Sequence, residues 1–454
     1  MEFSFVKIEQ YLNSFKSSNA FLPTTLFILL VLIFYLKSKK RTIYLLDYAC
    51  YKPPPTLRVP FSTFIEHAMI VFKDNPKVAR FQMRILERAG LGDETGLPPA
   101  LQFIPPEPSF SRTHDEAHLV IFSSIDELLK KTGVRPNNIG ILITNCSIFC
   151  PTPSLSSMIM NKYKLRSCTK TFSLSGMGCS ASAISLDLAK RLLQVMPNSY
   201  ALVVSTEILT PNCYMGLERS MTVPGCLFRL GCSSLLLTNK REERYRAKYQ
   251  LLHTIRTHIG ANDASYTSVM QQEDEEGRLG IALSKDLLVV AGEALTLNIT
   301  TLGPLVLPLS EKLKFAYNYV ARKISSHKKI KAYIPNFNKA FDHFCIHAGG
   351  RAVIEEIQKA LRLSAQDVEA SRMNLYRFGN TSSSSIWYEL SYIEAKGKMK
   401  KGERVWQIAF GSGFKCNSIV LKCNRNIDPK IDGFGPWKDC IQMYPMDVPE
   451  IRKL

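Results

Sequence analysis

The stretch Ser173–Ser182, SLSGMGCSAS, places Cys179 behind Gly176 and Gly178 and ahead of a helical run, AISLDLAKRLLQV. In that run Ile184, Leu188, Leu192 and Val195 recur at the spacing of one buried helix face. Cys179 therefore falls at or next to a helix N-terminus. First-turn N–H groups lack helical partners there, and the dipole favours negative charge. Both effects stabilise a thiolate, the reactive form of cysteine. The two glycines permit a sharp strand-to-helix turn and close approach by a substrate. This is the logic of a nucleophile elbow with sulfur in place of oxygen. The position equally suits a small apolar residue filling a tight corner. With 12 cysteines in the chain, geometry alone leaves both readings open.

A nucleophile needs partners. Of the eight histidines, His67, His114, His118 and His327 lie in helix-like or charged surface stretches. The segment DHFCIHAGG differs, because His343 and His347 flank a short apolar strand and His347 precedes a glycine pair. The end of a buried strand is where α/β folds carry their sites. In RFGNTSSSSIW, Asn380 follows a glycine in a loop that opens a helix, a place that also suits a turn or cap. The segment GSGFKCNS, Gly411–Ser418, offers exposed backbone N–H groups or a plain hairpin turn.

The elements that must position these groups alternate along the chain. TKTFSLSG is a strand, SAISLDLAKRLLQVM a helix, SYALVVSTEIL a strand and FRLGCSSLLLTN another strand. Strand–helix alternation with near-continuous apolar strands predicts a layered α/β fold with buried sheets. The second half follows the same grammar, from FDHFCIHAGG to ERVWQIAFGSGFKCNSIVLKC, which suggests a duplicated architecture without a close sequence repeat. Ahead of both halves, Phe21–Leu36 is a charge-free apolar run followed by the basic Lys37–Arg41. A span needs about 20 residues, and Ser18–Ala20 can extend the run. The basic flank places the rest of the chain in the cytosol. The expected division is a membrane anchor over 1–40 with its helix at about 18–36, a first half over 41–240 and a second over 241–454. A hairpin using MEFSFVKIEQYLNSF as a second membrane-contacting element is the alternative.

Composition narrows the partners. The 58 Lys and Arg against 39 Asp and Glu give a net charge of +19, which favours anionic partners: phosphorylated cofactors, lipid headgroups or nucleic acid, among which charge alone does not choose. No C-x-x-C pair occurs, which argues against a zinc ribbon or a thioredoxin-like site. Scattered cysteines inside apolar runs read as buried free thiols in a reducing compartment.

Several stretches then carry a resemblance: GMGCSA, NKYKLRS, PNSYALVVSTEI, LLHTIRTHIGA, DEEGRLGIALSKDLL, AGEALTLNITTLGPLVLPLSE, HFCIHAGGRAVIEE and RFGNTSSSSIWYEL. In this order, from about Arg41 to Cys423, the chain resembles the plant 3-ketoacyl-CoA synthases, the condensing enzymes of very-long-chain fatty acid elongation. The resemblance implies a thiolase-like αβαβα fold, usually homodimeric, at the endoplasmic reticulum membrane with a cytosolic catalytic body. It implies an acyltransferase that condenses malonyl-CoA with a long-chain acyl-CoA, using no metal and no cofactor beyond the CoA thioesters. It also implies work beside a ketoacyl reductase, a dehydratase and an enoyl reductase, with membrane lipid and no nucleic acid as partner. Residue by residue, Cys179 matches the acyl-accepting nucleophile, and His347 and Asn380 match the histidine and asparagine completing the site. His258, in RTHIGA, and His343 match further histidines assigned to activity.

Two departures stand out. The family usually continues its nucleophile motif as GCSAG, where this chain has Ser182, a residue tolerable in the first helical turn but able to crowd the floor of the site. The family usually has histidine before RFGNTSSSS, where this chain has Tyr376, which does not titrate near neutrality. These departures support one alternative, a catalytically weak regulatory or binding subunit of the elongase complex; another is a polyketide-type condensing enzyme that uses the same triad on other starters. The N-terminal membrane region is also shorter than the two-helix anchor common in the family.

Overall fold

The computed structural model describes residues 41–324 and 331–449, and the expected anchor over 1–40 lies outside them. From Ile43 onward the chain forms one compact unit. Its strands are β1 (Tyr44–Cys50), β2 (Ile139–Asn145), β3 (Lys170–Leu174), β4 (Tyr200–Thr206), β5 (Cys232–Thr238), β6 (Tyr249–His258), β7 (Val269–Glu273), β8 (Leu279–Leu283), β9 (His343–Ile346), β10 (Arg404–Gly411) and β11 (Lys415–Cys423). The helices that matter below are α1 (Pro76–Ala89), α2 (Phe110–Thr132), α3 (Ala181–Val195), α4 (Leu287–Val306), α5 (Leu309–Ile324), α6 (Arg351–Leu361), α7 (Glu369–Phe378) and α8 (Ser385–Ala395).

Nine strands hydrogen-bond in the order β3-β2-β4-β5-β1-β6-β11-β10-β9, and β7 and β8 pair separately as a hairpin. The pairing sense repeats in the two halves. Going inward, β2–β4 is parallel, and β4–β5 and β5–β1 are antiparallel. From the other edge, β9–β10 is parallel, and β10–β11 and β11–β6 are antiparallel. The repeat changes over between Thr238 and Tyr249, where β5 ends and β6 begins.

Every residue of β2 and β4 is buried, as expected of strands covered on both faces. Their alternation sorts the side chains into layers. Ile141, Ile143, Ala201 and Val203 join a central core with Leu186 and Leu193 of α3 and Trp387 and Leu390 of α8. From the second half, Val405, Ala409, Ile419 and Leu421 enter the same core. The opposite strand faces pack outward, Leu142, Leu202 and Val204 against α2 and Trp406, Ile408 and Val420 against α4. The order is therefore helix, sheet, a central helix pair, sheet, helix.

Burying α8 on all sides is tolerable only because its polar atoms have partners. Trp387 Nε1 donates to Ser182 Oγ, Tyr392 OH donates to Glu369, and Glu389 accepts from Ser371 Oγ. The halves are also clasped by Lys248, 1% exposed, whose ammonium meets Glu394 at 2.8 Å and Asp47 at 3.1 Å. Removing one partner would strand a buried charge, at about 3–5 kcal/mol. Among the described residues α4 is the one helix long and apolar enough to cross a membrane. Here it packs on the core through Val290, Ala294 and Leu302, and Asn298 donates to the Cys416 carbonyl.

Candidate active site

The C-terminal ends of the parallel strands converge on one cavity of about 400 Å³. Ser147 follows β2, Cys179 follows β3, Glu207 follows β4, His347 follows β9 and the Gly411–Gly413 turn ends β10, and all line it. Asn380, from the loop after α7, completes the lining.

Cys179 lies in a single tight turn, Gly178–Ser180, that runs straight into α3. Gly178 has φ +69°, and a Cβ there would sit 2.4 Å from the Ser412 nitrogen. Only glycine lets the cysteine turn press against the Gly411–Gly413 turn. The contact is mutual, since a Cβ on Gly411 would meet Ser180 Oγ at 2.5 Å. The Gly178 N–H donates to Ser147 Oγ at 2.9 Å, fixing the turn to the end of β2.

The electrostatics differ from the sequence expectation of a ready thiolate. Burial pushes the Cys179 thiol up to about 12, opposed by a hydrogen bond with Ser382 and reinforced by the Glu207 carboxylate. At neutral pH the thiol is protonated, and deprotonation must be coupled to a base. His347 is 4% exposed, and burial pushes its imidazole down to about 4, so it is neutral. Its Nδ1 has no hydrogen-bond partner, while its backbone N–H is held by the Ile408 carbonyl at 2.9 Å. Asn380, 3% exposed, is anchored on both sides of its amide. Nδ2 donates to the Gly349 carbonyl at 3.3 Å, and Oδ1 accepts from the Ser382 N–H at 2.9 Å.

Two buried groups complete the site that sequence reasoning did not single out. Glu207 accepts from the Ser147 and Ile148 N–H groups, each at 2.8 Å, and from Ser382 Oγ at 3.0 Å. Burial pushes its carboxyl above the usual range against those bonds. Ser382 thus touches both Glu207 and Cys179. The available signal was only that Glu207 follows an apolar strand and that Ser382 opens a serine run.

The remaining histidines fall elsewhere. His343 begins β9, at the opposite end of the strand from His347, and its Nε2 lies 3.0 Å from Glu403 Oε2. His258 ends β6 exposed, with Nε2 3.2 Å from the Gly413 carbonyl, so it contacts the back of the glycine turn. Neither lines the cavity. Ser182 does not crowd its floor, because its hydroxyl turns into the core to accept from Trp387 at 2.7 Å. Tyr376 packs against Gly92 and also lies outside the lining.

Beyond the polar end, the wall is apolar. Met270, Ile281, Leu283, Leu287 and Ala291 come from the β7–β8 hairpin and the start of α4. At Leu227 the cavity adjoins a second one of about 600 Å³ lined by Lys77, Arg80, Arg84, Arg88, Arg219 and Arg351. No carboxylate appears in that lining.

The layered α/β frame thus sets a cysteine at the mouth of a central helix, with a neutral histidine and an asparagine lining the same cavity. A model described as FAE1/Type III polyketide synthase-like protein matches residues 35–324. One described as 3-Oxoacyl-[acyl-carrier-protein (ACP)] synthase III C terminal matches residues 338–423. The chain is 61% identical over 433 residues to 3-ketoacyl-CoA synthase 5 of Arabidopsis thaliana, covering 95% of this chain and 87% of the relative. To 3-ketoacyl-CoA synthase 6 of the same plant it is also 61% identical, over 95% and 86% of the two chains. To 3-ketoacyl-CoA synthase 9 it is 55% identical, over 91% and 80%. The chain belongs to the 3-ketoacyl-CoA synthase family.

Proposed function

We infer that the enzyme joins malonyl-CoA to a long-chain acyl-CoA with loss of carbon dioxide, giving a 3-ketoacyl-CoA two carbons longer. The observation that carries this reading is the grouping of side chains in two cavities that adjoin at Leu227. An apolar wall suits an acyl chain, Cys179 with His347 and Asn380 suits the thioester, and six cations suit the CoA phosphates.

The steps follow from the groups. The Cys179 sulfur attacks the acyl thioester as its proton passes to a base, a role that suits the neutral His347 imidazole, whose buried Nδ1 has no hydrogen-bond partner. CoA leaves as its thiol and the acyl group stays on sulfur. Malonyl-CoA then binds, and carbon dioxide departs as its thioester oxygen takes up charge. Preorganised N–H donors from His347 and Asn380 hold that enolate oxygen. A neutral imidazole suits this role, because it donates without becoming a strong base toward the acyl-enzyme. The enolate carbon attacks the acyl carbonyl, whose oxygen is held by backbone N–H groups of Cys179 and the Gly411–Gly413 turn. Collapse expels the Cys179 thiolate. The thiolate takes one proton from solvent to restore the resting thiol, and with that proton both half-reactions balance on the two CoA thioesters, so the chemistry calls for neither a metal nor a redox cofactor. His258 and His343 act, in this reading, through the glycine turn and through β9 rather than on substrate.

The apolar run Phe21–Leu36 with its basic flank supports an anchor in the endoplasmic reticulum membrane and a cytosolic catalytic body. Family membership supports a homodimer working beside a ketoacyl reductase, a dehydratase and an enoyl reductase. The regulatory-subunit alternative rests on Ser182 and Tyr376, and both side chains stand outside the cavity.

The test is acyl trapping. Full-length protein given labelled long-chain acyl-CoA without malonyl-CoA should carry the label on the Cys179 peptide alone. Cys179→Ala should take up no label and release no 3-ketoacyl product. Label on another cysteine, or condensation surviving in that variant, overturns the assignment.

A further inference from the structure

Helix α5 is amphipathic in reverse. Leu309, Leu313, Tyr317, Val320 and Ile324 recur at the spacing of one helix face. That face points away from the protein, with exposures of 70%, 60%, 79%, 51% and 77% along it. The far side of the helix carries Glu311, fully buried and accepting from Lys339 Nζ, Tyr333 OH and the Asn336 N–H. Asn318, on the same side, accepts from the Tyr333 N–H and donates to the Lys331 carbonyl. The helix is thus glued to the body by its polar face and offers its apolar stripe outward. A contiguous exposed apolar stripe of this length marks an interaction surface.

Charge selects the occupant. The ionic side chains of α5 are the exposed Lys314, Arg322 and Lys323, the half-buried Lys312 and one acid, the inward Glu311, which lies 3.6 Å from Lys314. By helical position Lys312 and Lys323 border one edge of the stripe. A second copy docked stripe to stripe would set these lysines against their equivalents with no acid on the helix to answer them. An anionic lipid surface answers both features, with acyl chains for the stripe and headgroups for the lysines. We propose that α5 lies in the headgroup–acyl boundary of an anionic bilayer with its Leu309–Ile324 stripe immersed, so that the enzyme body rests on the membrane. The inference rests on the reading that the chain works at a membrane, and adds a second contact independent of the N-terminal run.

The protein supplies a clean probe. Its three tryptophans, Trp387, Trp406 and Trp437, are each 0% exposed and hidden from lipid quenchers. Full-length Leu313→Trp and Tyr317→Trp proteins are bound to vesicles of phosphatidylcholine and phosphatidylserine with brominated acyl chains. Both new tryptophans should lose most of their emission, and Tyr245→Trp, 82% exposed on another element, should lose little. Adding Lys312→Glu and Lys323→Glu, or omitting phosphatidylserine, should restore the emission while the protein still co-floats. Co-flotation without quenching at 313 and 317 overturns the inference and leaves the membrane reading standing. Failure to co-float overturns both. Emission shielded without lipid, in a dimer abolished by Leu313→Glu, assigns the stripe to a second copy and likewise overturns it.

Discussion

The indole N–H of Trp387 donates to the Ser182 hydroxyl across 2.7 Å, joining the two central helices α3 and α8 at their first turns. Both residues are fully buried. Ser182 sits three positions after the nucleophile candidate yet serves the core. Ser182→Ala leaves the indole donor unpaired, which costs about 1–3 kcal/mol of stability. Urea unfolding should show that loss, while turnover per folded molecule stays at the wild-type level. Unchanged stability would mean that the hydroxyl holds nothing.

Cys179 is half-buried at the cavity, and desolvation pushes its thiol up to about 12. Its alkylation by iodoacetamide, followed on the Cys179 peptide by mass spectrometry, should therefore climb about ten-fold per pH unit from 7 to 10. A rate that levels off near neutrality would reveal a standing thiolate and refute this account of the site.

His347 has the opposite linkage. Its unfolded imidazole titrates near 6.5 and its folded one at about 4, because burial disfavours the cation. The stabilisation is complete above pH 6.5 and disappears as pH falls toward 4, at a total of about 3 kcal/mol. Between pH 7 and pH 4 the wild type should lose that much more unfolding free energy than His347→Gln. Equal losses in the two proteins would place the imidazole in water.

The cationic cavity predicts a binding phenotype. Arg84→Glu removes a cation proposed to meet a CoA phosphate and introduces repulsion, so KM for acyl-CoA should rise on the order of ten-fold with kcat little altered. The effect should shrink as salt rises. A fall in kcat at constant KM would exclude a CoA-phosphate role.

Tyr376→His restores the residue usual in the family at this position. The side chain packs against Gly92, where a Cβ would approach the ring to 2.8 Å. Steady-state assays should return the wild-type kcat and KM. A clear gain in kcat would show that Tyr376 does reach the chemistry.

The site was legible where chemistry rides on a local motif. The glycines around Cys179, the glycines after His347 and the hydroxyl run after Asn380 each marked a turn at the end of an element. What stayed hidden depends on distance in space. His343 and His347 look paired in sequence, but four residues of strand at about 3.3 Å each set them at opposite ends. Glu207 reads as an acid after a strand, and only the approach of the Ser147–Ile148 backbone makes it part of the site. The alternating apolar strands announced the layers, whereas the single continuous sheet depends on the β1–β6 junction, a contact of two residue pairs. The thiolate expectation failed for a related reason, because helix position is local and burial is not.

The repeated pairing order also has a genetic consequence. One copy of the unit carries the sulfur and the other carries the imidazole and the amide, so neither holds a spare set. Loss of Cys179 from the first copy is therefore not offset by the second, and loss of His347 or Asn380 from the second is not offset by the first.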